Sequence, residues 1–183
     1  MAGIDTSFDN SAVVIIENKI FSGSSRSAAL CLQSGGNEFH RNYDSLKGIS
    51  KKTVGNVYSS LGDDLLNFGY VLYAIMPTFD DKTLHPSAVI EYIDQCFSNL
   101  LKTADKKKIK HLCMPFLAED FSDQSLFETC FSNMMKKIAT FDSERKAVHK
   151  FLIHIATSKD EKLNQILLAN FGNLKSKEKA CSP

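Results

Sequence analysis

The chain has 183 residues, 43% of them hydrophobic, which suffices for one sizeable core and is short for two, so a single domain is expected. Charged residues make up 23% and the formal net charge is +1, which excludes a dominant electrostatic attraction to nucleic acid or membrane and leaves room only for a local basic patch. No apolar run of about 18 residues occurs, and Asp5, Asp9 and Glu17 stand where a signal peptide needs an apolar stretch. The expectation is a cytoplasmic or nuclear chain with no membrane partner.

In chain order, Ala12-Val13-Val14-Ile15-Ile16 is the first core strand, a continuous apolar run suited to a strand covered on both faces, and it ends at Glu17-Asn18. A small polar stretch from Ser22 to Ser27 leads into a short helix through Ala28 and Leu32 that Gly35-Gly36 closes. Thr53 to Ser59 and Tyr70 to Met76 read as two further strands, with the turn between them at Leu61-Gly62-Asp63-Asp64 and a stop at Pro77. Pro86 opens an amphipathic helix on which Val89, Ile93, Cys96, Phe97, Leu100 and Leu101 recur at helical spacing.

His111 to Leu117 is another apolar strand, and Ser125-x-x-Glu128 has the form of a capping box opening a helix with Phe127, Cys130, Phe131 and Met134 inward. The pattern repeats with a strand over Val148–Ala156, a box at Ser158-x-x-Glu161 and a helical stripe of Leu163, Ile166, Leu167 and Phe171 ended by Gly172. Residues 1–174 are therefore taken as one domain and 175–183 as a flexible tail. Strands alternating with helices make βαβ units, so the fold class is α/β, a three-layer α/β/α sandwich with a mixed, mainly parallel central sheet. In such sheets ligands bind outside the carboxyl ends of the strands, which directs attention to the loops after Ile16 and Leu117.

The five cysteines, Cys31, Cys96, Cys113, Cys130 and Cys181, lack any CxxC spacing and are expected to be reduced, mostly buried thiols; no metal site and no cofactor are expected. His40, His85, His111, His149 and His154 lie in scattered contexts and form no HxxxH or Ser/His/Asp arrangement. The run Lys106-Lys107-Lys108-x-Lys110 has no interleaved aromatics, which favours a solvated helix end over a nucleic-acid site.

Over residues 3–172 the chain resembles the macro-domain family. The opening Gly3-Ile4-Asp5-Thr6, the strand end Ile15-Ile16-Glu17-Asn18, Thr53-Val54-Gly55 before Tyr70–Pro77, and Leu112-Cys113-Met114-Pro115-Phe116-Leu117 are similar to that family's successive strands. The resemblance implies ADP-ribose binding, and in some members its hydrolysis from modified proteins. On this likeness Asn18 falls on the asparagine that contacts the distal ribose, and Asp5 is the nearest counterpart of the adenine-contacting aspartate, one position out of register. The glycine run of the first phosphate loop falls on Ser24, Ser25 and Arg26, with Gly23 one position early; the second loop falls on Ala118, Glu119, Asp120, Phe121, Ser122 and Asp123, with aspartates where both glycines belong.

Those departures carry physical weight. Glycine permits positive φ and lets backbone N–H groups approach phosphate oxygens without an intervening Cβ. Two like charges about 4 Å apart repel by about 4 kcal/mol at an effective dielectric near 20, more than one charge-assisted hydrogen bond returns. Arg26 offsets part of this if it pairs with an aspartate or donates to phosphate. The favoured reading is a binding module with weak or altered ADP-ribose or nucleotide recognition, or with the pocket recruited for a protein partner. The alternatives are an ADP-ribosyl hydrolase acting through Asn18, and a nucleic-acid-binding domain using Lys102 and Lys106–Lys110. Beside them stand the plainer readings of Asn18 as a turn former and of Ser22–Ser27 as a polar loop with a helix N-cap.

Overall fold

A computed structural model describes residues 10–65, 68–77, 85–117, 124–144 and 151–156. Among the described residues five strands form one sheet in the order β2-β3-β1-β4-β5, from β1 (Ser11–Glu17), β2 (Val57–Leu61), β3 (Tyr70–Ile75), β4 (His111–Pro115) and β5 (Leu152–Ala156). β1 pairs in parallel with β3 and β4, β4 pairs in parallel with β5, and only β2 runs antiparallel, against β3. The sheet is mixed and mainly parallel, as the alternation of strands and helices requires.

The middle of β1, Val13 to Ile16, is β-branched, which suits a pleated surface buried on both sides, and the strand's alternation splits the interior in two. Ala12, Val14 and Ile16 face α3 (Pro86–Lys106) and α4 (Gln124–Glu144), joining Leu72, Ala74, Leu112 and Met114. Val13 and Ile15 face α1 (Arg26–Ser34) and α2 (Asn37–Lys47) together with Val71, Tyr73 and Ile75. The α3 stripe seen in the sequence is buried in full, and Phe97 lies at 0% exposure in the larger core.

Three boundaries depart from expectation. α2 is a helix for which the sequence pattern gives only Phe39, Tyr43 and Leu46 on an otherwise polar segment. Its N-cap is Gly36, which has no side chain to cap with, so the Asp64 carboxylate reaches across and accepts from Glu38 N (3.1 Å) and Phe39 N (2.8 Å). Those bonds hold Asp64 below the usual carboxylate range, chiefly through Phe39 N–H. Gly35 and Gly36 still end α1, as expected, and they do it by close approach: a Cβ on Gly35 would lie 2.2 Å from Phe39 Cδ1.

The strand expected over Thr53–Ser59 begins instead at Val57. Gly55 has φ +85° and donates to Ile75 O (2.8 Å), while Ile75 N donates to Asn56 O (3.0 Å), the bonding of a G1 bulge that leaves Thr53 and Val54 in the preceding turn. α4 starts at Gln124, so Ser125 lies inside the first turn and is not the cap. The expected features at 148–150 and 158–183 lie outside the described residues.

Candidate functional site

The chain leaves β1 through α1 and α2 to build β2 and β3 on one side, then returns through α3 to lay β4 on the other. The switch point is therefore the gap between β1 and β4, where the Brändén rule for open α/β sheets puts ligands. The two strands are registered only over Ser11–Val13 against His111–Cys113, and beyond that their carboxyl halves part. The ladder groups of β1 facing the gap are satisfied from α1: Ile16 N donates to Ser27 Oγ (2.9 Å), and Ser25 Oγ donates to Ile16 O. A pocket of about 270 Å3 opens beside the gap, floored by Val13, Val14 and Met114 and walled by Arg26 and Ser27 of α1 and Pro115 of β4.

The polar stretch after β1 is organised around Asn18. Its Oδ1 accepts from Ile20 N (3.1 Å) and Ser22 N (3.2 Å), and its Nδ2 donates to Ser22 Oγ (2.7 Å), so both ends of the amide are used in closing the loop. Ser22 Oγ also receives Ser24 N (3.3 Å) and contacts Ser24 Oγ (2.7 Å). Ser25 is the N-cap of α1 and accepts from Ala28 N at 3.0 Å, which bears out the plain capping role of this segment. Gly23, at φ +69°, occupies the left-handed region, where a Cβ would also lie 2.8 Å from Leu32 Cδ1. Arg26 is exposed at the mouth of the pocket and makes no ion pair among the described residues.

Beneath the loop lies a group that sequence reading does not pick out. Glu17 closes β1, points to the α1/α2 side and is 2% exposed. Tyr43 Oη–H donates to its Oε1, and its Oε2 accepts from Asn18 N (3.3 Å) and Gly23 N (3.4 Å), so one carboxylate pins both ends of the loop. Burial pushes the Glu17 carboxyl up against the opposing pull of these bonds, and burial together with Glu17 pushes the Tyr43 phenol up. Beside them Phe21 is 1% exposed at φ +53°, a backbone conformation held by packing on Tyr43 (5.3 Å between centroids) and Tyr73 (5.5 Å), with Lys52 Nζ 5.0 Å over its ring. The only signal in the sequence is an acidic residue ending an apolar strand. Phe21 and Tyr43 are ordinary apolar positions until the fold brings them together.

A carboxyl whose folded pKa is raised binds its proton more readily in the folded than in the unfolded chain. Its contribution makes stability fall as pH rises from the ordinary value of 4.5 through the raised folded value. The melting temperature of the wild type minus that of Glu17→Gln should therefore decline over that window and level off above it. A difference independent of pH between 4 and 8 would show that Glu17 is not titrating in this range.

Two thiols line the same pocket. Burial lifts Cys31 to about 11 and raises Cys113, so both stay protonated at neutral pH and are poor nucleophiles. Of the residues singled out from the sequence, the structure brings Asn18, Gly23, Ser24, Ser25 and Arg26 to one side of the gap. Asp5, Ala118, Glu119, Asp120, Phe121, Ser122 and Asp123 lie outside the described residues.

The comparisons with known proteins agree with this geometry. A family model for the macro domain matches residues 17–129, while no curated protein sequence matches. Among solved structures, the Oceanobacillus iheyensis macrodomain with ADP superposes with a TM-score of 0.73 at 15% identity, covering 92% of this chain and 86% of that one. The Trypanosoma brucei macrodomain in complex with ADP-ribose gives 0.67 at 14% identity, covering 87% of this chain and 62% of its own. The macro domain of ganglioside induced differentiation associated protein 2 gives 0.65 at 16% identity, covering 87% and 76%.

Proposed function

The chain belongs to the macro domain family, and from that premise we propose that it is a binding module whose cleft between the 18–25 loop and the end of β4 takes an ADP-ribose-like nucleotide weakly. The observation that carries this reading is the state of the loop's donors. The N–H groups of Ile20 to Ser24 are each taken within the loop or by Glu17, leaving those of Ser25, Arg26 and Ser27 without partners among the described residues. Three donors at the start of α1, with the Arg26 guanidinium beside them, form a small anion site at a helix N-terminus. A diphosphate cradle asks for more.

The second loop adds to the deficit, because Glu119, Asp120 and Asp123 bring carboxylates where the family resemblance implies backbone donors. Hydrolysis is the weaker reading. Asn18 would have to surrender its bonds to Ile20 N, Ser22 N and Ser22 Oγ before its amide could serve a ribose and a water in another geometry.

Isothermal titration of the full chain with ADP-ribose tests the proposal. The expected dissociation constant is on the order of hundreds of micromolar or weaker, since losing a few backbone donors and gaining repulsion removes about 3 kcal/mol or more. Saturation below about ten micromolar would refute the weak-binding reading and assign the cleft a rewired, tight mode. Release of ADP-ribose from a modified protein should stay at background in the same preparation.

A further inference from the structure

A second groove lies away from the cleft, where the edge strand β2 meets the face of α3. It measures about 300 Å3 and is lined by Asn56, Val57, Tyr58, Asn99, Lys102, Thr103 and Lys106. Its walls are fixed. Asn99 Nδ2 donates to Gly55 O (2.9 Å), tying α3 to the bulge at the head of β2, and Thr103 Oγ1 donates back to Asn99 O (2.7 Å).

The outer edge of β2 is unpaired among the described residues. Gly62 N bonds to Gly69 O, and the antiparallel register then puts the hydrogen-bonded pairs at Ser60–Val71 and Tyr58–Tyr73. Val57 and Ser59, at the alternate positions, turn their main-chain N–H and C=O groups away from the sheet, where no strand among the described residues meets them. An edge of this kind is a template for another extended segment.

Charge selects which segment. Lys102 and Lys106 are exposed on one face of α3, and neither pairs with a carboxylate among the described residues. Lys107 is engaged elsewhere, its Nζ 4.8 Å over the Tyr70 ring. Residues four apart on a helix are separated by about 6 Å of rise, and alternate residues of a strand by about 6.7 Å, so carboxylates at i and i+2 of an added strand match the spacing of the two lysines. A nucleic acid fits less well, because two lysines offer few phosphate contacts and the one aromatic in the lining, Tyr58, is half-buried and packs against the core on the α1/α2 side of the sheet.

We propose that the β2 edge and Lys102/Lys106 form a docking site for an acidic peptide, with acidic residues at alternate positions, that pairs with β2 as a sixth strand. The site is independent of the cleft, so it stands or falls separately from nucleotide binding.

The test is fluorescence anisotropy of the full chain with a labelled peptide of alternating Glu and Val at low salt. Saturable binding is expected, weakened at least tenfold in the Lys102→Glu/Lys106→Glu variant and lost with a peptide N-methylated at alternate residues, which removes the strand donors without altering charge. The two lysines are exposed, so the variant should keep the wild-type melting temperature, and its response to ADP-ribose should be unchanged. Absence of peptide binding, retention of binding in the charge-reversed variant, or equal binding of the N-methylated peptide would each overturn the proposal. So would a single-stranded oligonucleotide that binds through the two lysines while the peptide does not.

Discussion

Phe97→Ala should lower the stability of this domain by about 3–5 kcal/mol, the range for removing a fully buried aromatic ring. Phe97 has no exposed surface and belongs to the core that holds α3 and α4 against Ala12, Val14 and Ile16 of β1. Lost transfer energy and the cavity left behind act in the same direction, because α3 is tied to the head of β2 by the bond from Asn99 Nδ2 to Gly55 O, which limits how far it can shift to fill the space. For a chain of this size each kcal/mol moves the melting temperature by about 2–4 °C, so a fall of about 10 °C is expected. Phe97→Leu should recover most of it. Denaturant titration is the check: the midpoint should fall with an unchanged slope, and a loss under about 1 kcal/mol would mean that α3 does not carry the core as described.

The parts of the fold legible in the sequence are those in which periodicity and burial coincide. β1 and β3 are uninterrupted apolar runs because both of their faces are covered, and α3 shows its stripe because only one face is. The parts that escaped depend on residues distant in sequence. α2 takes its cap from Asp64, which stands 26 residues beyond Glu38 and carries no local mark of that role. β2 starts late because Gly55 and Asn56 share one partner, Ile75, and a bulge of that kind is set by the neighbouring strand.

The cleft divides in the same way. Asn18 was legible as a turn former and Ser22–Ser27 as a polar loop carrying a helix cap, since both roles are local chemistry; the structure adds that the cap is Ser25 and that Gly23 is left-handed. Glu17 was not, because its importance comes from Tyr43 and Gly23 closing over it. The consequence for function is direct: a loop held from below by a buried carboxylate, and from within by Asn18, has little freedom to turn its N–H groups toward a ligand. Fewer donors, already oriented elsewhere, are the physical basis of the weak binding proposed for this cleft.

Reversing the charge deficit in the second loop is the sharpest functional test. If Asp120 and Asp123 stand where backbone donors to phosphate are implied by the family resemblance, then Asp120→Gly with Asp123→Gly removes two like charges and two Cβ groups from the diphosphate position. ADP-ribose affinity should rise by about 1–3 kcal/mol, roughly 5- to 150-fold, with stability within about 0.5 kcal/mol of the wild type if the two carboxylates have no partner to lose. The opposite pattern has a distinct physical meaning. If the aspartates hold Arg26, which has no ion-pair partner among the described residues, the double change strands that cation, lowers the melting temperature and leaves the titration flat. Calorimetry and thermal melts on one variant separate the two outcomes, because repulsion removed raises affinity alone while a broken ion pair lowers stability alone.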